Sequence, residues 1–503
     1  MVQESLVSAC RGAIGLVRAW WRAAFTLDVR GLAALRIALG LILVADCLLR
    51  FRTVSLMFAA DGVFPPALLR DFQGTPAKWS LALLADSTWW GAGVLALEGL
   101  AGAWLATGFR SRTATIVAWV AVVSVGRRTE PATNAGDSLL ACLLFWSMFL
   151  PLDAAWSLPR RQHQPRAATT LSVATMALVM QVAAVYFGAG LAKWNPTWLS
   201  GEAVSYALSI HDHGTALGMQ VARADWLARP ITWLVLAAEL AGPALLVLIP
   251  TVRIRAWLAT AFILFHLAVW STMWVGLFAP VGIAAWLPML PTATWNRLGS
   301  QPRGFAVARL GWVASLACAA PLALAAVSFL HGKGCFGHAP LPPPLRQMIV
   351  AAALEQDWPM FGTIPRQEQW VYGAATLADG RVVDLLRHGR PLEQDRPAGG
   401  FASLGTHRWH KLFWIMPRPE CRRFAAPTAA ALVRAWNGRH GESEQVVAFQ
   451  LRFAMRIHSD REVAVQDMLL AAWPPRGDDG RGNLDRLLDT TATNPTGVAE
   501  SRR

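Results

Sequence analysis

The sequence predicts an all-α polytopic membrane helix bundle of about nine transmembrane helices, followed by a small extramembrane α+β domain. Three observations predict it. The 503 residues are 54% hydrophobic and only 16% charged, against roughly 25% charged residues in a soluble globular protein. Apolar runs of about 17–25 residues, the length a membrane span requires, recur along the first two thirds of the chain. Near residue 331 they stop, and polar, turn-forming sequence begins.

In residues 1–30, Arg11, Arg18 and Arg22 interrupt the apolar stretch, which excludes a cleavable signal. With Trp20, Trp21 and Phe25 they predict a basic amphipathic helix on the cytoplasmic membrane surface. The transmembrane domain is expected over 31–330, with spans near 31–49, 89–109, 113–126, 137–152, 170–192, 230–249, 256–273, 275–290 and 307–329. The third, fourth and eighth are short. With the amino terminus in the cytoplasm, Arg110 and Arg112, Arg160, Arg161 and Arg166, Arg253 and Arg255, and Arg297 and Arg303 fall in cytoplasmic loops. Outward loops then hold mixed charges, as the positive-inside bias requires. An odd number of spans sends the C-terminal domain outward, and Lys193, at the end of the fifth span, faces outward too. The 25 tryptophans against 3 tyrosines assign the interfacial aromatic belt to Trp.

Residues 331–473 read as the extramembrane domain. Trp370–Leu377, the turn Asp379-Gly380 and Val382–Leu386 predict a hairpin. Val447, Phe449, Leu451, Phe453, Met455 and Ile457 alternate with polar residues as a half-buried strand does. Thr428–Trp436 reads as a helix between them, and residues 474–503 as a disordered tail.

A formal net charge of +14 raises nucleic acid as a partner, but the arginines recur between apolar runs and form no basic domain, so membrane topology accounts for them. Six cysteines without a CxxC give no metal or redox motif; Cys335 and Cys421, both in the polar third, are a candidate disulfide if that part lies outside the cytoplasm. Gly332 to Gly337 matches GxGxxG but follows a membrane span, so it reads as a linker. His211-Asp212-His213 has no evident third ligand and reads as an exposed polar loop, so no metal is expected.

Ionisable groups within spans are costly and so functional or paired. Arg36 and one carboxylate, with Asp46 and Glu98 as candidates, are expected to form a buried structural pair. Glu239 and His266 lie on adjacent spans, where they either handle protons or hold the two helices together. Lys193 closes the apolar run Val185–Ala192 and precedes Trp194, Asn195, Pro196 and Trp198. A lysine there either snorkels to the interface or works as a partly desolvated base.

These residues carry a resemblance. Leu27 to Gly40, followed by Asp46 and Asp61-Gly62, resembles the opening of HTTM-domain membrane proteins, a superfamily that includes vitamin K-dependent gamma-carboxylase. Tyr186-Phe187, Gly190 to Lys193, Trp198 and Gly201 align without a gap to the carboxylase segment that carries its catalytic lysine, which falls on Lys193. Phe265-His266 with Gly276 and Phe278, and Asn134, Asp137 and Trp156-Ser157, resemble further family blocks, over roughly residues 27–290. The resemblance implies a lysine that deprotonates a reduced quinone of the vitamin K or menaquinone type. Oxygen then converts the quinone to an epoxide, and the strong base so formed prepares a peptide glutamate for carboxylation. It implies Lys193 as base, Glu239 and His266 as supporting groups, and Tyr186, Trp194, Trp198 and Asp137 at the quinone or substrate.

The implied partners are membrane lipids, quinone and an unidentified peptide or protein substrate, in a bacterial inner membrane. The chain departs from the pattern at the functional histidine of the animal carboxylase, where Gly136 or Asp137 stands, and shows no large propeptide-binding module. The alternative is a non-catalytic scaffold or transport-linked protein that presents its outward domain to a partner.

Overall fold

Inside hydrocarbon every backbone N–H and C=O has to be satisfied within its own segment, so the apolar runs fold as helices. A computed structural model describes residues 2–158, 168–209, 213–298, 312–337, 339–364, 366–397, 399–458 and 463–475. Arg160, Arg161, Arg166, His211, Asp212, Arg303 and the tail from residue 476 lie outside the described residues.

The principal helices are α1 (Val2–Phe25), α2 (Val29–Phe51), α3 (Thr88–Thr107), α4 (Ser111–Arg128), α5 (Ala135–Ser147), α6 (Val173–Ala192), α7 (Asp225–Leu248), α8 (Val252–Thr272), α9 (Phe278–Trp286) and α10 (Trp312–Gly332). A helix covers each stretch expected to span, but among the described residues five, α2, α6, α7, α8 and α10, are long and apolar enough to cross a membrane. The expected count of about nine spans is not reached. The 13 residues of α5 and the nine of α9 rise only about 20 and 14 Å, against a hydrocarbon core of about 30 Å.

Helix α1 is a separate segment docked at its end: Trp20 Nε1 donates to the Val247 carbonyl at 2.8 Å. Arg255 Nη1 donates to the carbonyls of Ala23 at 2.9 Å and Thr26 at 3.0 Å. It thus takes up carbonyls that a helix C-terminus leaves without partners. Helices α2 and α3 cross at Gly40 and Gly102, where small residues let two backbones touch. A Cβ on Gly102 would lie 2.6 Å from Leu43 Cβ and 2.7 Å from the Gly40 carbonyl oxygen.

The C-terminal part is an antiparallel sheet of β3 (Gln367–Leu377), β4 (Val382–Asp384), β5 (Arg390–Pro391), β6 (Val446–His458) and β7 (Val463–Trp473), ordered β5-β4-β3-β6-β7; β1 (Leu27–Asp28) and β2 (Thr169–Thr170) form a separate two-stranded pair. The expected hairpin is present, with Ala374 opposite Asp384 and Gly380 at φ +87° in the turn. The expected strand and helix are present as β6 and as α12 (Ala425–Asn437). Sequence reasoning missed β7, whose Met468–Trp473 half does not alternate, and α11 (His407–Ile415), whose histidines and basic residues read as loop. Cys335 is an exposed free thiol and Cys421 a buried one, so the expected disulfide is not formed.

One core joins the sheet to the bundle. Phe401, Leu412, Phe413, Phe424 and Phe449 pack in the same cluster as Phe58, Val63, Phe64 and Leu69 from the connection between α2 and α3. Phe424 meets both Phe64 and Phe72 edge-on, with ring centroids 5.5 and 5.4 Å apart.

The crossing of α2 and α3 gives a direct test. Gly102→Ala should destabilise the protein by about 1–3 kcal/mol through overpacking, read as a lower midpoint of thermal unfolding in detergent. Gly93→Ala on the same helix, where the added Cβ meets nothing within 4 Å, should leave the midpoint unchanged or raise it.

Candidate functional site

Helix α6 stops at Lys193, its C-cap, because the following Asn195-Pro196 starts a new turn. Lys193 is only 2% exposed. Its Nζ lies 2.6 Å from the Glu239 carboxylate on α7 and 5.2 Å from the centre of the Trp198 ring. Gly190 makes this approach feasible, since a Cβ there would come within 3.0 Å of Glu239 backbone. Lys193 is thus a buried, paired lysine and does not snorkel.

Residues 353–364 run over the lysine as a strap between the bundle and β3. Three successive strap carbonyls accept hydrogen bonds from the lysine loop: Met360 from Lys193 Nζ at 2.7 Å, Phe361 from Trp198 Nε1 at 2.9 Å, and Gly362 from Asn195 Nδ2 at 2.8 Å. Phe361 is held at φ +52° to do this, in the left-handed region that costs a non-glycine residue of order 1–3 kcal/mol. A side chain at Gly362 would strike Ala192, its Cβ 2.9 Å away. Further along, the strap's Trp358 is wholly buried, and its Nε1 donates to Gln356 Oε1 at 2.8 Å. Gln356 pairs with Gln181 on α6, whose Oε1 also accepts from Trp146 Nε1 at 3.0 Å. The two glutamines are among the lining residues of an apolar cleft of about 610 Å³ between α6, α7 and α10, walled by Met180, Phe187, Pro243, Val247, Leu322 and Phe329.

The other expected site residues divide. Tyr186 and His266 form a separate buried pair, Oη to Nε2 at 2.5 Å, beside Phe262 and Trp286. The His266 ring fills the space over Gly282, where a Cβ would come within 2.2 Å of it. His266 therefore pairs with Tyr186 and Glu239 with Lys193; the two do not form the expected histidine–carboxylate couple. Trp194 is 65% exposed, and the tryptophan packed against the lysine is Trp198.

Asp137 belongs to a different group. As the third residue of α5 it completes a capping box with Asn134 and pairs with Arg408 on α11, Oδ1 accepting from Nη2 at 2.6 Å. Arg408 also reaches Asp46 Oδ1 at 3.0 Å, and Arg50 bridges Asp46 at 2.7 Å and Asp137 at 3.1 Å. Two arginines and two carboxylates thus close a ring between α2, α5 and the C-terminal domain. Burial alone would lower the Arg408 guanidinium, but Asp137 and Asp46 outweigh it and hold it above its ordinary value. Arg36 is not the partner of Asp46 or Glu98; its Nη2 donates to the Trp156 carbonyl at 2.7 Å. Glu98 is wholly buried on α3 and contributes no ion pair to this ring.

Beyond the strap, α11 carries His407 and His410 one turn apart, and both face His213. One ligand atom from each of the three lies within 4.8 Å of the other two. His213 is half-buried, against the expectation of an exposed loop. Burial first, and the Arg408 charge next, hold His407 well below an ordinary histidine, at about 4. Its ring is neutral at physiological pH. Burial, then Arg418, lowers the neighbouring Lys411.

Sequence reasoning missed Arg50, Arg408, the glutamine pair and the strap. Arg50 had a signal, since it stands four residues after Asp46 on one helix face. The strap's contacts run through backbone carbonyls, which no side-chain pattern reports.

The chain belongs to the HTTM-domain family: residues 26–295 match the HTTM domain. The matched region contains α2 to α9, Lys193 and Glu239, and stops before the strap and the sheet. This fits the carboxylase-like superfamily of membrane proteins. Neither a curated protein nor a solved structure matches the chain.

Removing one member of a buried charge group leaves the others uncompensated, at a cost of about 3–5 kcal/mol. Arg408→Ala should therefore lower the unfolding midpoint and free the C-terminal domain to proteases. Arg408→Lys should restore little, because a single ammonium cannot bridge two carboxylates as the guanidinium fork does. Wild-type protease resistance in Arg408→Ala would show that the ring is not what holds the domain down.

Proposed function

We propose that this HTTM-domain protein is a quinone-linked membrane enzyme of the carboxylase-like type, with Lys193 as base and Glu239 as the group that takes and returns its proton. The buried Lys193–Glu239 pair carries this reading. The carboxylate 2.6 Å from Nζ gives the amine's proton a place to go where no water is needed.

A cleft of about 610 Å³ with almost wholly apolar walls fits a lipid-soluble ring with an isoprenoid tail. Its end at Phe187 and Pro243 is six residues along α6 from Lys193 and four along α7 from Glu239, roughly 9 and 6 Å of helix rise. A reduced quinone of the vitamin K or menaquinone type, when bound, supplies electrons for reaction with oxygen. On this chain's side, Trp198 packs against the lysine, Tyr186 and His266 fix α6 against α8, and the strap excludes water. Membrane lipids, and a peptide or protein substrate arriving on the outward side, are the partners this reading implies.

A second reading has its own support: the Met360 carbonyl engages Nζ directly, which suits a lysine that anchors the strap of a non-catalytic scaffold. Lys193→Ala and Glu239→Gln, assayed in membranes supplied with reduced menaquinone or vitamin K, separate the two. Loss of a general base costs about 10²–10⁴-fold, so epoxide formation should fall at least a hundredfold in Lys193→Ala. Epoxide at the wild-type rate would remove Lys193 as the base and leave it an anchor, whose loss lowers thermal stability and exposes the strap to proteolysis.

The same reading puts the amino terminus in the cytoplasm of a bacterial cell and the C-terminal domain outside its inner membrane, as the arginine distribution favours. Cys335 is an exposed thiol and reports on this. A membrane-impermeant maleimide should label intact spheroplasts, and Cys335→Ser should abolish that labelling. Labelling of Cys335 only after lysis would reverse the orientation.

A further inference from the structure

We infer that His213, His407 and His410 form a binding site for a divalent transition-metal ion of the zinc class, with a fourth coordination position open to the cavity beside them. The inference is independent of any role for Lys193.

Two elements far apart in sequence bring the imidazoles together. His407 and His410 are three residues apart on α11, so they project from one face. His213 arrives on the loop before Gly214, which pairs with Met273 in an antiparallel bridge; its carbonyl accepts from Trp274 N at 2.6 Å. The rings are also fixed by their neighbours: Phe401 stacks on His410 with centroids 4.5 Å apart, and Phe361 meets His213 edge-on at 5.6 Å.

The separations suit a metal. With Zn–N bonds of about 2.0–2.1 Å, tetrahedral ligand atoms stand roughly 3.4 Å apart. The observed atoms, within 4.8 Å of one another, close to that by small rotations about the side-chain torsions. Asn134 bears on the ligand form of His407. Its Oδ1 accepts from Gly136 N at 2.7 Å, which leaves Nδ2 facing His407 Nδ1 at 3.2 Å. That contact places the ring's lone pair on Nδ1 and its proton on Nε2, so a metal bound by His407 replaces either the Asn134 contact or that proton.

The donor set indicates the class. Imidazole suits zinc, copper, nickel and iron, whereas magnesium and calcium prefer oxygen. Three histidines and an open position are the arrangement of a reactive metal site, and four closed ligands that of a structural one. The cavity holds about 480 Å³, with Lys411 and Arg418 among its lining residues. Those cations favour water, hydroxide or a small oxyanion as the fourth ligand.

The test uses untagged full-length protein in detergent, stripped with a chelator and then titrated with Zn²⁺ against a competing dye. Bound metal is counted by mass spectrometry. One equivalent of Zn²⁺ should bind saturably, with no competition from excess Mg²⁺. His213→Ala, His407→Ala and His410→Ala should each weaken binding at least tenfold, while His388→Asn, an exposed histidine elsewhere, should match wild type. Because α11 variants can disturb the domain, the loop variant His213→Asn is added, with its unfolding midpoint measured. It should keep the metal-free midpoint of wild type and lose the upward shift that Zn²⁺ gives. Absence of saturable binding by wild type, or binding unchanged across the three cluster variants, overturns the inference.

Discussion

Opposite charges from the two parts of this molecule meet in one buried group, and that pairing fixes how the parts sit together. The ring of Asp46, Arg50, Asp137 and Arg408 draws three of its members from the bundle and one from the C-terminal domain. Neither part can satisfy its own charges alone. The bundle without Arg408 holds two carboxylates and one guanidinium; the domain without the bundle holds a guanidinium with nothing opposite. The apolar core spreads over the same junction. The ring therefore sets register while the core supplies most of the attraction, a division expected where buried ion pairs contribute specificity more than stability.

The same kind of pairing makes the lysine site readable. Lys193 and Glu239 lie under a strap whose successive carbonyls meet Lys193, Trp198 and Asn195, with Phe361 held in a strained conformation to complete the set. The strap has two faces. Met360 and Phe361 serve the lysine loop on one side and line the histidine-bearing cavity on the other. A change in either place is felt through one short segment of chain.

What the sequence made legible follows from period and composition. The helices, the hairpin and the strand β6 all came from apolar pattern, and Lys193 from its place at the end of an apolar run. Pairing was harder. Asp46, Arg36 and His266 were visible as charges or titratable groups within spans, but their partners were not. Arg408, which meets Asp46, is 362 residues away, and nothing local in Arg408 marks it as a membrane-facing group. The His211-Asp212-His213 stretch shows no third ligand locally; the two histidines that face His213 are both on α11, far along the chain. The short helices α5 and α9 leave the span count unconfirmed, because apolar character reports burial in protein as readily as exposure to lipid.

The shared core also has a consequence for how the protein is made. The connection between α2 and α3 packs its phenylalanines against α12 and its neighbours, and Asp61 meets Arg434 across 373 residues of intervening chain. Synthesis runs from the amino end, so this connection leaves the ribosome long before the residues that cover it. Through that interval Phe58, Phe64 and Phe72 are an uncovered apolar surface, the kind that invites premature association. A chain cut short before α12 would keep its membrane helices and leave that surface uncovered.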